Sequence, residues 1–163
     1  MIILNIGDET TAAANRHPFD QQGIDPSHLV FEKRLPFEDY LARHNTVDLG
    51  LDSFPYNGST TTYMAAWMGA PQVTWRGERL CSRLGAEIML HLGLDELVAT
   101  TAEEYVERAV ALAIDLDRLE RLRASLRPRI AASPPGPTRP PIPAPWKSST
   151  GARGRNASGR WPK

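Results

Sequence analysis

The chain has 163 residues with 19 basic and 19 acidic side chains, but six of the bases and none of the acids fall in 134–163, so residues 1–133 carry a net charge of −6. One domain fits that length; so acidic a body argues against nucleic acid as the main partner, since phosphate contacts need clustered Lys and Arg, and a lone Cys81 excludes a disulfide framework or thiolate metal cluster within one chain. The opening MIILNIGDET falls short of the about 7–15 apolar residues of a secretory leader, and no run approaches the about 18 of a membrane helix, which predicts a soluble, cytoplasmic protein with no membrane partner.

In chain order, residues 2–6 read as a first strand and 9–22 as a helix. A turn at Gly23, Ile24, Asp25 and Pro26 leads to a second strand at 29–31. Pro36 fits the first turn of a helix over 37–45, where its missing N–H costs nothing. Glu38 and Asp39 then lie near the positive end of the helix dipole. A third strand covers 47–51, a helix 59–69, and Gly69 and Pro71 stop that helix before a fourth strand at 72–75. A helix over 79–92 ends at Gly93. A short fifth strand at 97–99 is followed by Thr100 or Thr101 with Glu103 and Glu104, a capping-box pattern opening a helix over 102–114. The last helix runs over 115–130, with Leu116, Leu119, Leu122 and Leu126 at helical spacing for packing onto the domain. Short strands alternating with helices are the signature of βαβ units and a parallel sheet, hence an α/β fold. Residues 134–163 hold eight prolines and four glycines; with no apolar period to bury, that segment is expected to be a disordered tail.

The chemistry concentrates where the third strand ends. Asp52 closes an apolar strand, a loop follows, and Gly58, Ser59, Thr60 and Thr61 open a helix. Unpaired backbone N–H groups, a positive dipole and hydroxyl donors make such a helix start an anion site. Crevices outside the carboxyl ends of strands are also where open α/β sheets bind ligands. Ordinary N-capping, for which Ser and Thr are the preferred residues, also explains this run. Arg76, Arg79 and Arg83 could neutralise a phosphate or a carboxylate, or form a solvated, salt-bridged first turn with Glu78 and Glu87. Cys81 reads as a small buried hydrophobe. His17, His28, His44 and His91 show no metal-ligand spacing, so zinc is not expected. Asp48 and Asp52 make no convincing acid/base pair.

The blocks DLGLDSFPYNGSTTT and AAWMGAPQVTWRGERLCSRLGAEIMLHLGLDELVA resemble the C-terminal catalytic region of TPR-linked protein O-GlcNAc transferases in their bacterial form, across residues 1–133. The resemblance implies a Rossmann-like parallel sheet with helices on both faces, part of the C-terminal lobe of a two-lobed glycosyltransferase. It implies transfer of GlcNAc from UDP-GlcNAc to Ser or Thr of an acceptor protein, with inversion and without a required metal or other cofactor. Plant relatives of this build transfer fucose from GDP-fucose, which keeps another sugar nucleotide open as the donor. Ser59, Thr60 and Thr61 match the family's diphosphate-contacting helix start. Leu35 matches a position whose backbone reads the uracil, Tyr40 one that stacks on the base, and Arg43 one that helps hold it.

Departures from the family pattern stand out. Where the family places an acid on the ribose hydroxyls, this chain has Met64, which offers no charge and only a weak acceptor. The TPR array, the N-terminal lobe with its catalytic histidine, and the start of the C-terminal lobe have no counterpart here, so no catalytic residue is assigned. The acid-free, Pro- and Arg-rich end also departs from the family. The expectation is therefore a truncated or frameshifted fragment of such an enzyme, inactive alone, with a non-catalytic, degenerate Rossmann-like module as the alternative.

Overall fold

Asp8 accepts the Thr11 amide at 2.7 Å and so caps α1 (Glu9–Gln21). In the computed structural model, which describes residues 8–133 and the backbone of β1 (Ile2–Ile3), β1 pairs in parallel with β2 (Val30–Phe31). Next come α2 (Phe37–Arg43), β3 (Gly50–Leu51), α3 (Thr60–Trp67) and β4 (Gln72–Trp75). They are followed by α4 (Leu84–His91), β5 (Val98–Ala99), α5 (Ala102–Ile114) and α6 (Leu116–Ala132). Residues up to Ile130 form one compact unit; of the second, Ala131–Lys163, only 131–133 are described. The tail expected over 134–163 lies outside the described residues.

The architecture is α/β, with parallel strands flanked by helices. The expected single sheet is divided: β1 and β2 form one pair, while β3, β4 and β5 form a separate three-stranded sheet in sequential order. Gly50 pairs with Gln72 and Leu51 with Val73 on one side of the sheet, and Thr74 pairs with Val98 and Trp75 with Ala99 on the other. Both crossovers, through α3 and α4, join adjacent strands. The core gathers Val73 of β4, Ala86 and Met89 of α4, Leu94, Leu97, Leu112 of α5, and Leu119, Leu122 and Leu126 of α6.

Several elements are shorter than the pattern predicts, each for a local reason. The strand expected over 47–51 keeps only its last two residues. The Val47 amide bonds the His44 carbonyl at 3.2 Å, and its carbonyl accepts from Arg123. Pro36 sits just outside α2 at the N-cap position rather than within its first turn. The helix expected over 79–92 opens with a tight turn at Leu80–Ser82 before α4 begins. There Ser82 Oγ donates to the Arg79 carbonyl at 2.9 Å and Arg83 Nε to the Gly77 carbonyl at 3.2 Å, local bonds that compete with a continuous helix. Gly69 and Gly93, at φ 82° and 66°, end α3 and α4 in the left-handed region that favours glycine. In α6, Leu119, Leu122 and Leu126 are buried as expected, but Leu116 is 69% exposed.

Candidate functional site

The Asp52 amide bonds the Val73 carbonyl at 3.0 Å, carrying the β3–β4 ladder one residue past the strand. That register turns the Asp52 carboxylate inward, where it is 6% exposed. Oδ1 accepts the Gly58 amide at 2.7 Å and Oδ2 accepts the Thr74 hydroxyl at 2.8 Å. Burial raises the Asp52 pKa above the usual carboxylate value; the bonds from Gly58, Thr74 and the Ser53 amide pull the other way and only partly offset it. A Cβ on Gly85 would fall on Asp52 Oδ2 and within 2.7 Å of Thr74 Oγ1, so this turn of α4 can press against the carboxylate only as glycine. From the other direction, the Tyr105 hydroxyl of α5 donates to the Asp52 carbonyl at 2.8 Å.

Between Asp52 and Gly58 the chain makes a tight loop. Its Phe54–Pro55 bond is cis. The Phe54 ring stacks on Trp75 at 3.7 Å, 12° from parallel. Ser53 Oγ donates to the Tyr56 carbonyl, Asn57 Nδ2 to the Ser53 carbonyl at 2.9 Å, and the Asn57 amide to the Cys81 carbonyl at 2.9 Å. The loop is thereby fixed to the end of β4 and to the segment before α4, and it delivers Gly58 to the start of α3.

Ser59 occupies the N-cap of α3 with φ −125° and ψ −89°, and its hydroxyl makes no capping bond. The first backbone bond into the helix runs from the Tyr63 amide to the Ser59 carbonyl at 3.1 Å. The amides of Ser59, Thr60, Thr61 and Thr62 have no acceptor among the described residues. Ser59, Thr60 and Thr61 are exposed. Ordinary side-chain capping by Ser59 is therefore not what this geometry does; it leaves a helix N-terminus whose free donors at Ser59, Thr60 and Thr61 belong to exposed residues, while Thr62 is buried. A Cβ on Gly58 would lie 2.5 Å from Thr62 Oγ1 and 2.7 Å from Thr61 Oγ1, so glycine there lets both hydroxyls close on the backbone. The buried Thr62 Oγ1 and Asn57 Oδ1 have no partner.

The residues singled out for the base form a second group, around α2. Leu35 is half-buried in the segment leading into α2. Tyr40 meets His44 edge-to-face at 4.8 Å, and burial raises its hydroxyl pKa. Arg43 is engaged, pairing with Glu32 and reaching Thr46 Oγ1 at 3.2 Å. No hydrogen bond or ion pair among the described residues joins this group to Ser59, Thr60 and Thr61. His44, buried with Nδ1 2.9 Å from the Tyr40 carbonyl, belongs to the group and was not singled out from sequence.

Arg76 pairs with Glu87 at 3.7 Å, both side chains well exposed, and Arg83 is bound to Gly77, so two of the three arginines have local partners. Cys81 is half-buried rather than buried. Asp48 is exposed and lies 3.9 Å from Arg123, far in character from the buried Asp52. No group of three His, Cys, Asp or Glu among the described residues could hold a metal, and no described helix is long and apolar enough to cross a membrane. A groove of about 440 Å³ lined by Asp48, Leu49, Leu116, Leu119 and Arg123 includes none of the predicted site residues.

The family model described as glycosyl transferase family 41 matches residues 6–135. A probable UDP-N-acetylglucosamine–peptide N-acetylglucosaminyltransferase SPINDLY of Arabidopsis thaliana is 41% identical over 116 residues, 71% of this chain and 13% of that protein. The UDP-N-acetylglucosamine–peptide N-acetylglucosaminyltransferase of Caenorhabditis elegans is 40% identical over 65% of this chain and 9% of its own length. Among solved structures, a mutant of the Thermobaculum terrenum O-GlcNAc transferase superposes with a TM-score of 0.74 at 36% identity, covering 77% of this chain and 24% of that one. The chain thus spans a small part of each of these relatives.

Proposed function

The chain belongs to glycosyl transferase family 41, and on that premise we propose that it carries the part of a nucleotide-sugar donor site that grips the diphosphate and the base. UDP-N-acetylglucosamine is the proposed donor, and Ser or Thr of a protein the acceptor in the whole enzyme. The names of the relatives from Arabidopsis thaliana and Caenorhabditis elegans support that choice. The observation that carries the reading is the uncapped start of α3, whose Ser59 makes no side-chain cap. Free amides, the helix dipole and the hydroxyls of Ser59, Thr60 and Thr61 together supply the positive end an anion needs. The diphosphate's charge is assigned to these groups, and no metal is called for. Leu35, Tyr40 and Arg43 are proposed for the uracil side. No residue is assigned as general base, so the proposal is confined to donor binding. A cytoplasmic location is part of the same proposal.

One observation favours a second reading. Met64, half-buried on α3, supplies no carboxylate for a ribose, and losing a charge-assisted hydrogen bond costs about 1.5–3 kcal/mol. A weakly binding, non-catalytic module would look like this. Calorimetry with the Thr60→Val variant tests the donor reading: UDP should bind about tenfold more weakly than to the unaltered protein, about 1.4 kcal/mol, while uridine binding is unchanged. Equal effects on the two ligands, or none on either, would reduce residues 59–61 to a helix start.

A further inference from the structure

We propose that Asp52 is a positioning residue for the anion site: its buried carboxylate claims the Gly58 amide, so that the cradle begins at Ser59 and its free donors face outward. This rests on the donor-site reading above. Asp52 connects three parts of the fold. Oδ1 holds Gly58 at 2.7 Å, Oδ2 holds Thr74 of β4 at 2.8 Å, and its carbonyl holds Tyr105 of α5 at 2.8 Å. One residue thus ties the loop that launches α3 to a central strand and to the helix after β5. Both carboxylate oxygens are engaged by protein donors and the side chain is buried, so Asp52 serves the site through the backbone it holds.

The placement of Gly58 decides how the site works. Without the bond to Oδ1 its amide would be one more free donor, and the Gly58–Ser59 peptide would be free to rotate. With it, the backbone before α3 is locked in the orientation that leaves Ser59, Thr60 and Thr61 uncapped and exposed. The hydroxyls of Thr61 and Thr62 close on the same glycine. Preorganised donors cost no reordering when the anion arrives, which is what a buried carboxylate behind the loop provides. An arrangement this tight leaves no room beside the carboxylate, which is why Gly85 has no Cβ to spare.

Amide hydrogen exchange on the unaltered protein, with and without UDP, reads this directly. The Gly58 amide should exchange slowly in both states, while those of Ser59, Thr60 and Thr61 exchange fast when free and slow on adding UDP. In calorimetry, Asp52→Ala should weaken UDP by about tenfold with little change for uridine, whereas Asp52→Asn, which keeps an oxygen for Gly58, should recover most of the loss. Thr74→Val, which removes only the second anchor, should fall between them and serves if Asp52→Ala does not fold. Fast exchange at Gly58 in the free protein, or equal losses of UDP and uridine in the folded variants, overturns the positioning role while leaving the donor reading in place. If UDP slows none of the three amides and binds as uridine does, the donor reading falls and this role with it.

Discussion

Tyr105 has its hydroxyl in a half-buried position against the Asp52 carbonyl. Burial, with the charge of Asp52 adding to it, pushes that hydroxyl up to about 12 from an ordinary 10.0. The folded chain therefore keeps a proton that the unfolded chain has released over this interval, and its stability falls as pH rises through it. Tyr105→Phe should cost about 1 kcal/mol near neutral pH by removing the bond. It should also flatten the alkaline limb of the thermal transition, which melting curves from pH 8 upward would show. An unchanged alkaline limb would mean that the Tyr105 hydroxyl is not protected. Met64 is proposed to stand on the ribose side of the site. Met64→Asp should tighten UDP by about tenfold, about 1.4 kcal/mol, measured by calorimetry; no change would mean that Met64 does not occupy the ribose position. Ser59, Thr60 and Thr61 were legible in the sequence because a small polar run after Gly58 marks a helix start. Asp52 as the hub was not, since its partners Thr74 and Tyr105 lie 22 and 53 residues away and no local period links them.

At the scale of elements, α5 is the one whose start the sequence states most fully. Thr101 Oγ1 accepts the Glu104 amide at 3.2 Å, and Glu104 Oε2 reaches back to the Thr100 amide at 2.8 Å. The box expected there forms, spread over both threonines, and these bonds hold the Glu104 carboxyl below its usual pKa. Thr101→Ala should cost about 1 kcal/mol, read as a lowered denaturation midpoint with an unchanged slope. An unaltered midpoint would show that Glu104 alone sustains the helix start. α3 makes the contrast: the same kind of residue stands at its N-cap, yet the Ser59 hydroxyl makes no bond there. Residue type alone cannot tell the two apart, because the difference lies in the loop before α3, held by Asp52 and by the Phe54–Trp75 stack. The strand ends and the start of α4 differ from the sequence pattern for a related reason. Arg123, Ser82 and Arg83 use side chains to take backbone groups that strand or helix would otherwise pair.

For the whole molecule, the α/β alternation and the apolar stripe of α6 carried the fold. Leu119, Leu122 and Leu126 close over the core that Val73, Met89 and Leu112 build around β4. The division into a β1–β2 pair and a β3–β4–β5 sheet was not legible, because sequence order reveals parallel crossovers but not which strands share a ladder. That division leaves the two candidate groups on different elements, the anion cradle at the end of β3 and the base-side residues around α2. The start of α3 is proposed to recognise phosphate. A calorimetric titration of the unaltered protein with UDP and with uridine, each at low and high salt, tests it most directly. UDP should bind at least about tenfold more tightly than uridine at low salt, and that advantage should shrink as salt screens the diphosphate. Equal affinities for the two ligands at every salt concentration would contradict it.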